Sequence, residues 1–345
     1  MNATITPRAI KILRVLAPGE NLSRPAIAQA VGETRDNTIR ELGRLVELGY
    51  VATSGTGRAT TYAITPQART LALWDVEEYL VQEPDQRRAR YTGLQPELFE
   101  AVRGIFRPAD LEAIATAREE FAKRRATDEA TAQRELERFV IELSWKSSKI
   151  EGNTYTLLDT EQLLREAVEA PGHSHAEAVM ILDHKRAFEY VWQHQDDFRR
   201  LTRSQVEEVH ALLTKDLSVP GGLRTSGVGI TGTVYVPPAS QVEIASHLDG
   251  ILRAINSFEE PAEKALACLV LLPYLQPFAD GNKRTSRLMA NAALLAHGLP
   301  PLSYRSIDEQ AYKGALILFY EQGALANFRD LFVEQLRFAA ANYFL

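Results

Sequence analysis

Cysteine is nearly absent from this chain of 345 residues: Cys268 stands alone, so no intramolecular disulfide can form. It lies in an apolar, helix-like run, where it reads as a small buried hydrophobe rather than a reactive thiol. A chain with no disulfide framework suits a reducing cytosol. Long hydrophobic runs are also missing; none approaches the roughly 20 residues that span a bilayer. The opening Met-Asn-Ala-Thr-Ile-Thr-Pro has no basic-then-apolar signal pattern. These absences set the expectation of a cytoplasmic protein without a membrane partner. No internal repeat or low-complexity tract occurs, which argues against a solenoid.

What is present belongs to an ordinary globular protein: 45% hydrophobic and 24% charged residues. The length accommodates two or three domains. The net charge of −6 conceals an asymmetry, because residues 1–70 contain nine Arg/Lys and five Asp/Glu. A basic end on an acidic protein implies separate partners for the two parts.

Residues 6–65 carry three short helical patterns followed by two strands. Pro7 to Leu16 aligns Ile10, Leu13 and Leu16 before Pro18-Gly19. Ser23 is placed to cap a second helix with Pro25 in its first turn, ending at Gly32. Thr34 is placed to cap a third, with Ile39, Leu42 and Val46 at helical spacing and Gly49 as its stop. "YVATSGTGRATTYAI" then reads as two strands around a Gly-rich turn at 54–58. This order resembles the winged helix-turn-helix family, in which the third helix enters the DNA major groove and the hairpin tip touches the backbone. The resemblance assigns Arg35, Asn37, Arg40 and Arg44 to base and backbone contacts and Arg58 to a phosphate. The alternative is a solvated face on a domain used for protein contacts or dimerisation, since Asp36 and Glu41 dilute the same helix.

Residues 71–140 have no Gly-rich linker and read as a charged helical connector, with Leu111, Ile114, Phe121, Leu136, Val140 and Leu143 as inward positions. Phe139 and Trp145 read as core.

The stretch "LQPFADGNKRTSRL", residues 275–288, is the most informative. Pro261 to Tyr274 predicts a buried helix broken by Pro273 and Pro277. A second helix is expected from about Arg284 to Gly298, with Leu288, Ala292 and Leu295 on one face. The intervening turn would lie at a helix N-terminus, where unpaired N–H groups and the dipole attract anions. Lys283, Arg284 and Arg287 add positive charge, and Asp280 is suited to hold Mg²⁺ against phosphates. Spacing alone leaves open a capped helix with exposed charges.

The same residues resemble the signature of the Fic family, H-x-F-x-[DE]-G-N-[GK]-R-x-x-R. Seven of its eight specified positions agree: Phe278, Asp280, Gly281, Asn282, Lys283, Arg284 and Arg287. The resemblance covers about residues 140–340. It implies a mainly α fold, with a helical Fic domain (141–345) bearing a short β-hairpin flap, preceded here by the winged-helix domain (1–70) and the connector (71–140). Most members transfer AMP from ATP to a hydroxyl of a target protein. The resemblance gives Phe278 the role of core anchor and Asp280 that of Mg²⁺ ligand. Gly281, Asn282, Lys283 and Arg284 would cradle the phosphates, with Arg287 at the terminal one. The segment "GVGITGTVYVPP", with Val228, Ile230, Val234 and Val236, would be the flap that aligns a target strand. Upstream, "SSKIEG" fits the family's inhibitory pattern [ST]-x-x-x-E-[GN] with Ser147, Glu151 and Gly152; its Glu competes with the γ-phosphate for Arg287.

The departure is Gln276, at the family's catalytic His. A glutamine amide cannot accept the proton of an attacking hydroxyl near neutral pH. His297, His173, His175 and His184 are too remote in sequence to replace it. The favoured reading is a Fic-type protein that binds Mg-ATP or a related nucleotide, couples this to duplex-DNA binding and transfers AMP poorly. The alternatives are an active adenylyltransferase, an AMP-removing hydrolase in which Glu151 activates water, an introduced His-to-Gln exchange, or a DNA-binding protein with a decayed Fic domain. A homodimer is compatible with each.

Overall fold

Thr6 opens the first helix by accepting a hydrogen bond from the Ala9 N–H, and Pro7 occupies the first turn, where no donor is needed. Helix α1 (Pro7–Leu16) is followed by strand β1 (Leu22–Ser23), α2 (Arg24–Val31) and α3 (Arg35–Glu47), then strands β2 (Val51–Ser54) and β3 (Thr61–Ile64). Ser23 and Thr34 cap α2 and α3 as expected, and Gly32 ends α2 in the left-handed conformation. The computed structural model describes residues 6–17, 21–124 and 129–343. Pro18-Gly19, the expected break after α1, lies outside them. Two compact units are present: Met1–Ala101 with Ile230–Val236 and Gln310–Asp330, and Val102–Gly229 with Pro237–Glu309 and Leu331–Leu345.

In the first unit β2 and β3 pair antiparallel from Val51↔Ile64 to Ser54↔Thr61, and β1 pairs with the other edge of β3. The sheet order is therefore β1-β3-β2. Ile12, Leu13, Leu16, Ile27, Leu42, Leu45, Val51, Tyr62 and Ile64 form its core. The inward face of α3 differs by one position from the spacing-based expectation. Thr38 is buried while Ile39 remains 38% exposed. Thr38 can sit inside because its hydroxyl bonds back to the Thr34 carbonyl, 3.0 Å away.

Short helices α4 (Pro66–Leu71) and α5 (Val76–Val81) follow. The second unit contributes α6 (Pro108–Arg124), α7 (Glu129–Ile150), α8 (Leu157–Glu166), α9 (His175–Gln193), α10 (Arg203–Leu213), α11 (Gln241–Ser257), α12 (Pro261–Leu275) and α13 (Asn282–Ala296). Helices α14 (Glu309–Gln322) and α15 (Ala326–Asn342) complete the chain. Ile114, Phe121, Val140 and Leu143 are buried as expected, whereas Leu111 is exposed. Phe139 is buried, and Trp145 donates its indole N–H to the Tyr155 carbonyl.

The centre of the second unit is the antiparallel pair α12 and α13, against which α7, α9, α10 and α11 pack variously. Nearly every residue of both central helices is buried. That explains why α12 continues through Pro273 instead of breaking there: proline removes one backbone bond, but packing on all sides holds the helix. It ends at Gln276, which adopts the left-handed conformation at φ 51°.

Residues 228–237 do not form a laddered hairpin. A turn occupies Thr231-Gly232, and a bridge joins Val236 to Gly93 in parallel. The reason lies in where the backbone groups go. Within the first unit, Gly232 accepts from Arg87, Val234 donates to the Glu321 carboxylate and Val236 donates to the Thr92 carbonyl. No described helix is long and apolar enough to cross a membrane.

Candidate functional site

The site grows from the connection between α12 and α13. Gln276 reverses the chain, Phe278 plunges into the core, and Asp280-Gly281 turn into α13, whose first residue is Asn282. The Asn282 side chain staples this loop: its Oδ1 accepts from the Phe278 N–H at 2.9 Å and its Nδ2 donates to the Phe278 carbonyl and to Gln276 Oε1, both at 2.8 Å. Asn282 therefore offers an incoming ligand its backbone, not its amide. Gly281 has φ 79°, and a Cβ there would lie 3.3 Å from Thr214 and 3.4 Å from His210. Glycine is required on both counts.

A cavity of about 150 Å³ opens onto this turn, lined by Glu151, Val228, Gly229, Gln276 and residues 279–284. Larger cavities lie elsewhere; the one of about 340 Å³ between α7 and α9 is lined by aliphatic, aromatic and polar residues with Lys185 as its single cation. At the turn, Arg284 is 2% exposed; one terminal nitrogen is 3.3 Å from Asp280, and the other, Nη1, is buried with no hydrogen-bond partner among the described residues. A buried guanidinium donor without a partner, on a side chain that lines the cavity, is what an anion would satisfy. The first turn of α13 supplies its N–H groups to the same region.

Helix α7 brings Ser147 to the turn from well over a hundred residues upstream, and Glu151 follows directly after its last residue. Arg287, fully buried on α13, donates Nη1 to Glu151 Oε1, Nε to Ser147 Oγ and Nη2 to the Ser147 carbonyl, each at 2.9 Å. Lys283 lies 3.5 Å from the other Glu151 oxygen. Burial alone would raise the Glu151 pKa; the Arg287, Lys283 and Arg284 charges and the Arg287 hydrogen bond outweigh it and hold the carboxyl below its ordinary value. Gly152, at φ 100°, turns the chain immediately after Glu151.

Gln276 lies beside the cavity, and both ends of its amide are occupied: Nε2 donates to the Pro273 carbonyl and Oε1 accepts from Asn282. Asp280, by contrast, is 68% exposed at the carboxylate. Among the described residues no three His, Cys, Asp or Glu side chains gather to hold a metal. Magnesium commonly uses one or two carboxylates, phosphate oxygens and water, so the exposed Asp280 at an anion site fits that ion.

Two contributors were not legible beforehand. Arg224 donates to the Gln276, Ser226 and Pro238 carbonyls, and its own N–H bonds to the Pro277 carbonyl, so it buttresses the loop from a segment without secondary structure. His210, on α10, stacks against Phe278 and bonds to the Asp280 carbonyl. Burial depresses the His210 pKa, with the Arg284 charge acting in the same direction and the Asp280 carbonyl bond opposing. His184 is also buried near Arg284 and Arg287, and burial followed by those charges keeps it neutral.

On the first unit, Arg35 and Arg40 project from α3 into solvent. Asn37 is half-buried and gives its amide to Glu33 at 3.2 Å, so it is not free to meet a base edge in this state. Arg44 is half-buried. The Arg58 side chain lies outside the described residues.

The site is thus a cation-rich turn at a buried helix N-terminus, countered by a carboxylate that follows another helix. Residues 200–294 match the Fic/DOC family model, and the chain carries a Fic/DOC family domain. Among curated proteins it is 29% identical over 172 residues to the protein adenylyltransferase Fic of Nematostella vectensis, covering 49% of this chain and 40% of that protein. It is 30% identical over 193 residues to that of Culex quinquefasciatus, covering 54% and 38%. The chain thus spans about two fifths of the length of these relatives. Among solved structures, a Fic domain-containing signaling protein from Bacteroides thetaiotaomicron superposes with TM-score 0.58 at 21% identity, over 66% of this chain and 94% of that one. Fic-1 from C. elegans gives 0.58 at 22%, over 68% and 70%. At these identities the likeness is one of fold.

Proposed function

We propose that the Asp280-Gly281-Asn282 turn binds an adenine nucleotide with Mg²⁺, and that Glu151 restrains the bound pose. The observation that carries this reading is the Arg287–Glu151 pair, whose carboxylate residue lines a cavity together with Arg284, a side chain with one buried, unpartnered donor. Gly281, Asn282 and Lys283 would offer backbone N–H groups to phosphates, Arg284 would contribute its charge, and Asp280 would hold the ion. The ion itself would neutralise phosphate charge. Glu151 occupies the guanidinium that a γ-phosphate would otherwise meet. A cavity of about 150 Å³ is smaller than the roughly 300 Å³ at the lower end of small-molecule sites, which agrees with the carboxylate filling part of the space. Glu151→Gly should therefore tighten Mg-ATP by roughly tenfold or more, as one charged hydrogen-bonded competitor is removed, and tighten AMP far less. Calorimetric titration of both nucleotides tests it; equal changes for ATP and AMP would sink the restraint.

Within this reading the chain transfers AMP poorly. An attacking hydroxyl must lose its proton, and Gln276 has no basic nitrogen to take it. The curated relatives carry the name protein adenylyltransferase, which favours AMP transfer to a protein as the chemistry from which this site departs. A target segment would lie along residues 228–237. Hydrolytic removal of AMP, with Glu151 activating water, is the second reading.

Residues 6–65 would bind duplex DNA as a winged helix, with α3 in the major groove. Support comes from the three-helix, β1-β3-β2 arrangement and from Arg35 and Arg40 standing exposed on α3. Arg35→Ala plus Arg40→Ala should weaken binding to the gene's own upstream region and flatten the log K against log salt slope by about two. A mobility shift unaltered by both changes would remove this part of the proposal.

A further inference from the structure

Helix α10 places one imidazole directly beneath the anion turn. The His210 ring is fully buried and stacks on Phe278 with centroids 3.7 Å apart and planes 9° apart. Its Nε2 lies 3.0 Å from the Asp280 carbonyl oxygen. A carbonyl only accepts, so Nε2 must carry the proton. The ring also touches the turn: its Cδ2 would lie 3.4 Å from a Cβ added at Gly281. Thr214 donates its hydroxyl to the His210 carbonyl at 2.9 Å and completes the support.

The planarity of the peptide bond gives this contact a consequence. In a trans peptide the C=O and the following N–H point in opposite directions. With the Asp280 oxygen held toward His210, the Gly281 N–H is held away from it. Gly281 has the rotational freedom of a residue without Cβ, so nothing in its own chemistry fixes that orientation. We propose that His210 is a positioning residue: its Nε2–H pins the Asp280–Gly281 peptide so that the Gly281 N–H is presented to a bound phosphate. This rests on the nucleotide reading above for its ligand, but not for the clamp itself. His210 touches no reacting atom; it acts through the peptide it orients.

Two substitutions separate its two contacts. His210→Phe keeps the stack on Phe278 and removes the N–H. His210→Gln removes the stack and keeps a donor at nearly the same reach. Calorimetry with Mg-ADP, which lacks the γ-phosphate that Glu151 opposes, should show His210→Phe weakened roughly ten- to hundredfold, as for loss of a charged hydrogen bond. His210→Gln should recover most of that affinity. A ring that served only as packing would give the reverse order, with Gln the weaker. The Gly281 amide resonance in the ligand-free protein should shift in His210→Phe and return toward its original position in His210→Gln. The unsubstituted protein supplies an independent check, because ¹⁵N shifts of its imidazoles report which nitrogen is protonated. A His210 ring protonated at Nδ1 alone, or a His210→Phe protein with unchanged ADP affinity and an unmoved Gly281 amide, overturns the proposal. Should the parent protein fail to bind Mg-ADP, the nucleotide reading falls, while the Gly281 resonance and the tautomer still decide whether His210 holds the peptide.

Discussion

Gln276→His combined with Glu151→Gly is expected to incorporate labelled AMP from ATP into the protein itself or into lysate proteins, far above either change alone. In the transfer the target oxygen bonds to the α-phosphorus, the α–β bridging bond breaks and pyrophosphate leaves; the hydroxyl proton must go to a base. Supplying that base is worth about 10² to 10⁴ in rate. The backbone is prepared for the exchange. Gln276 sits at φ 51°, ψ 61°, a left-handed conformation that costs most residues on the order of 1 kcal/mol but in which histidine is enriched. Losing the Gln276 oxygen would leave Asn282 Nδ2 still bonded to the Phe278 carbonyl, so the loop keeps its staple. Gln276→His alone should gain little, because Glu151 continues to hold Arg287 at 2.9 Å and a γ-phosphate finds that guanidinium taken. Scintillation counting or fluorescent-AMP gels would read the outcome. Strong labelling by the sequence as given would mean that Gln276 is no obstacle and that the base has been misassigned.

The parts of this molecule legible in its sequence are those written by local chemistry. Thr6, Ser23 and Thr34 cap where a short oxygen-bearing side chain precedes a helical run, and Gly32 ends α2 where a left-handed residue is needed. The cation-rich turn could be read because Asp280 to Arg287 are contiguous. The Glu151 to Arg287 pairing was reachable through a resemblance, since 136 residues separate the partners. Arg224 and His210 were not reachable. Each supports the loop through backbone carbonyls, which carry no side-chain signature, so no pattern in the sequence marks which carbonyl will need a donor. The expected flap hairpin failed for a related reason: alternation of Val228, Ile230, Val234 and Val236 describes a chain able to form strands, but not whether its backbone bonds find each other. The bridge to Gly93 and the bond to Thr92 decide that. The inward face of α3 is turned by one residue because the Thr38 hydroxyl bonds back to its own helix, which lets a polar side chain sit in the core in place of Ile39.

Glu321→Ala is expected to be among the most destabilising single changes in the first unit. Its carboxylate is completely buried, and four partners converge on it: Tyr79 at 2.6 Å, Thr233 at 2.6 Å, the Val234 N–H at 3.3 Å and Arg87 at 3.4 Å. Removing the acceptor strands a guanidinium whose side chain is only 5% exposed, together with two hydroxyl donors and an amide. The loss of one partner from a buried ion pair costs about 3–5 kcal/mol. The melting transition should therefore fall by several degrees, and the Val234 amide should exchange with solvent much faster. Glu321→Gln keeps one carbonyl oxygen but loses the charge and should fall between. Arg87 retains the Gly232 carbonyl at 2.8 Å and the Gln82 carbonyl at 2.9 Å, so it will not be wholly unsatisfied. Replacing both Arg87 and Glu321 by leucine should cost less than the sum of the two single replacements, because the second change removes the charge that the first one stranded. A double variant that melts at the simple sum would mean that the carboxylate acts through Tyr79 and Thr233 alone, and that its pairing with Arg87 contributes nothing to holding residues 230–236.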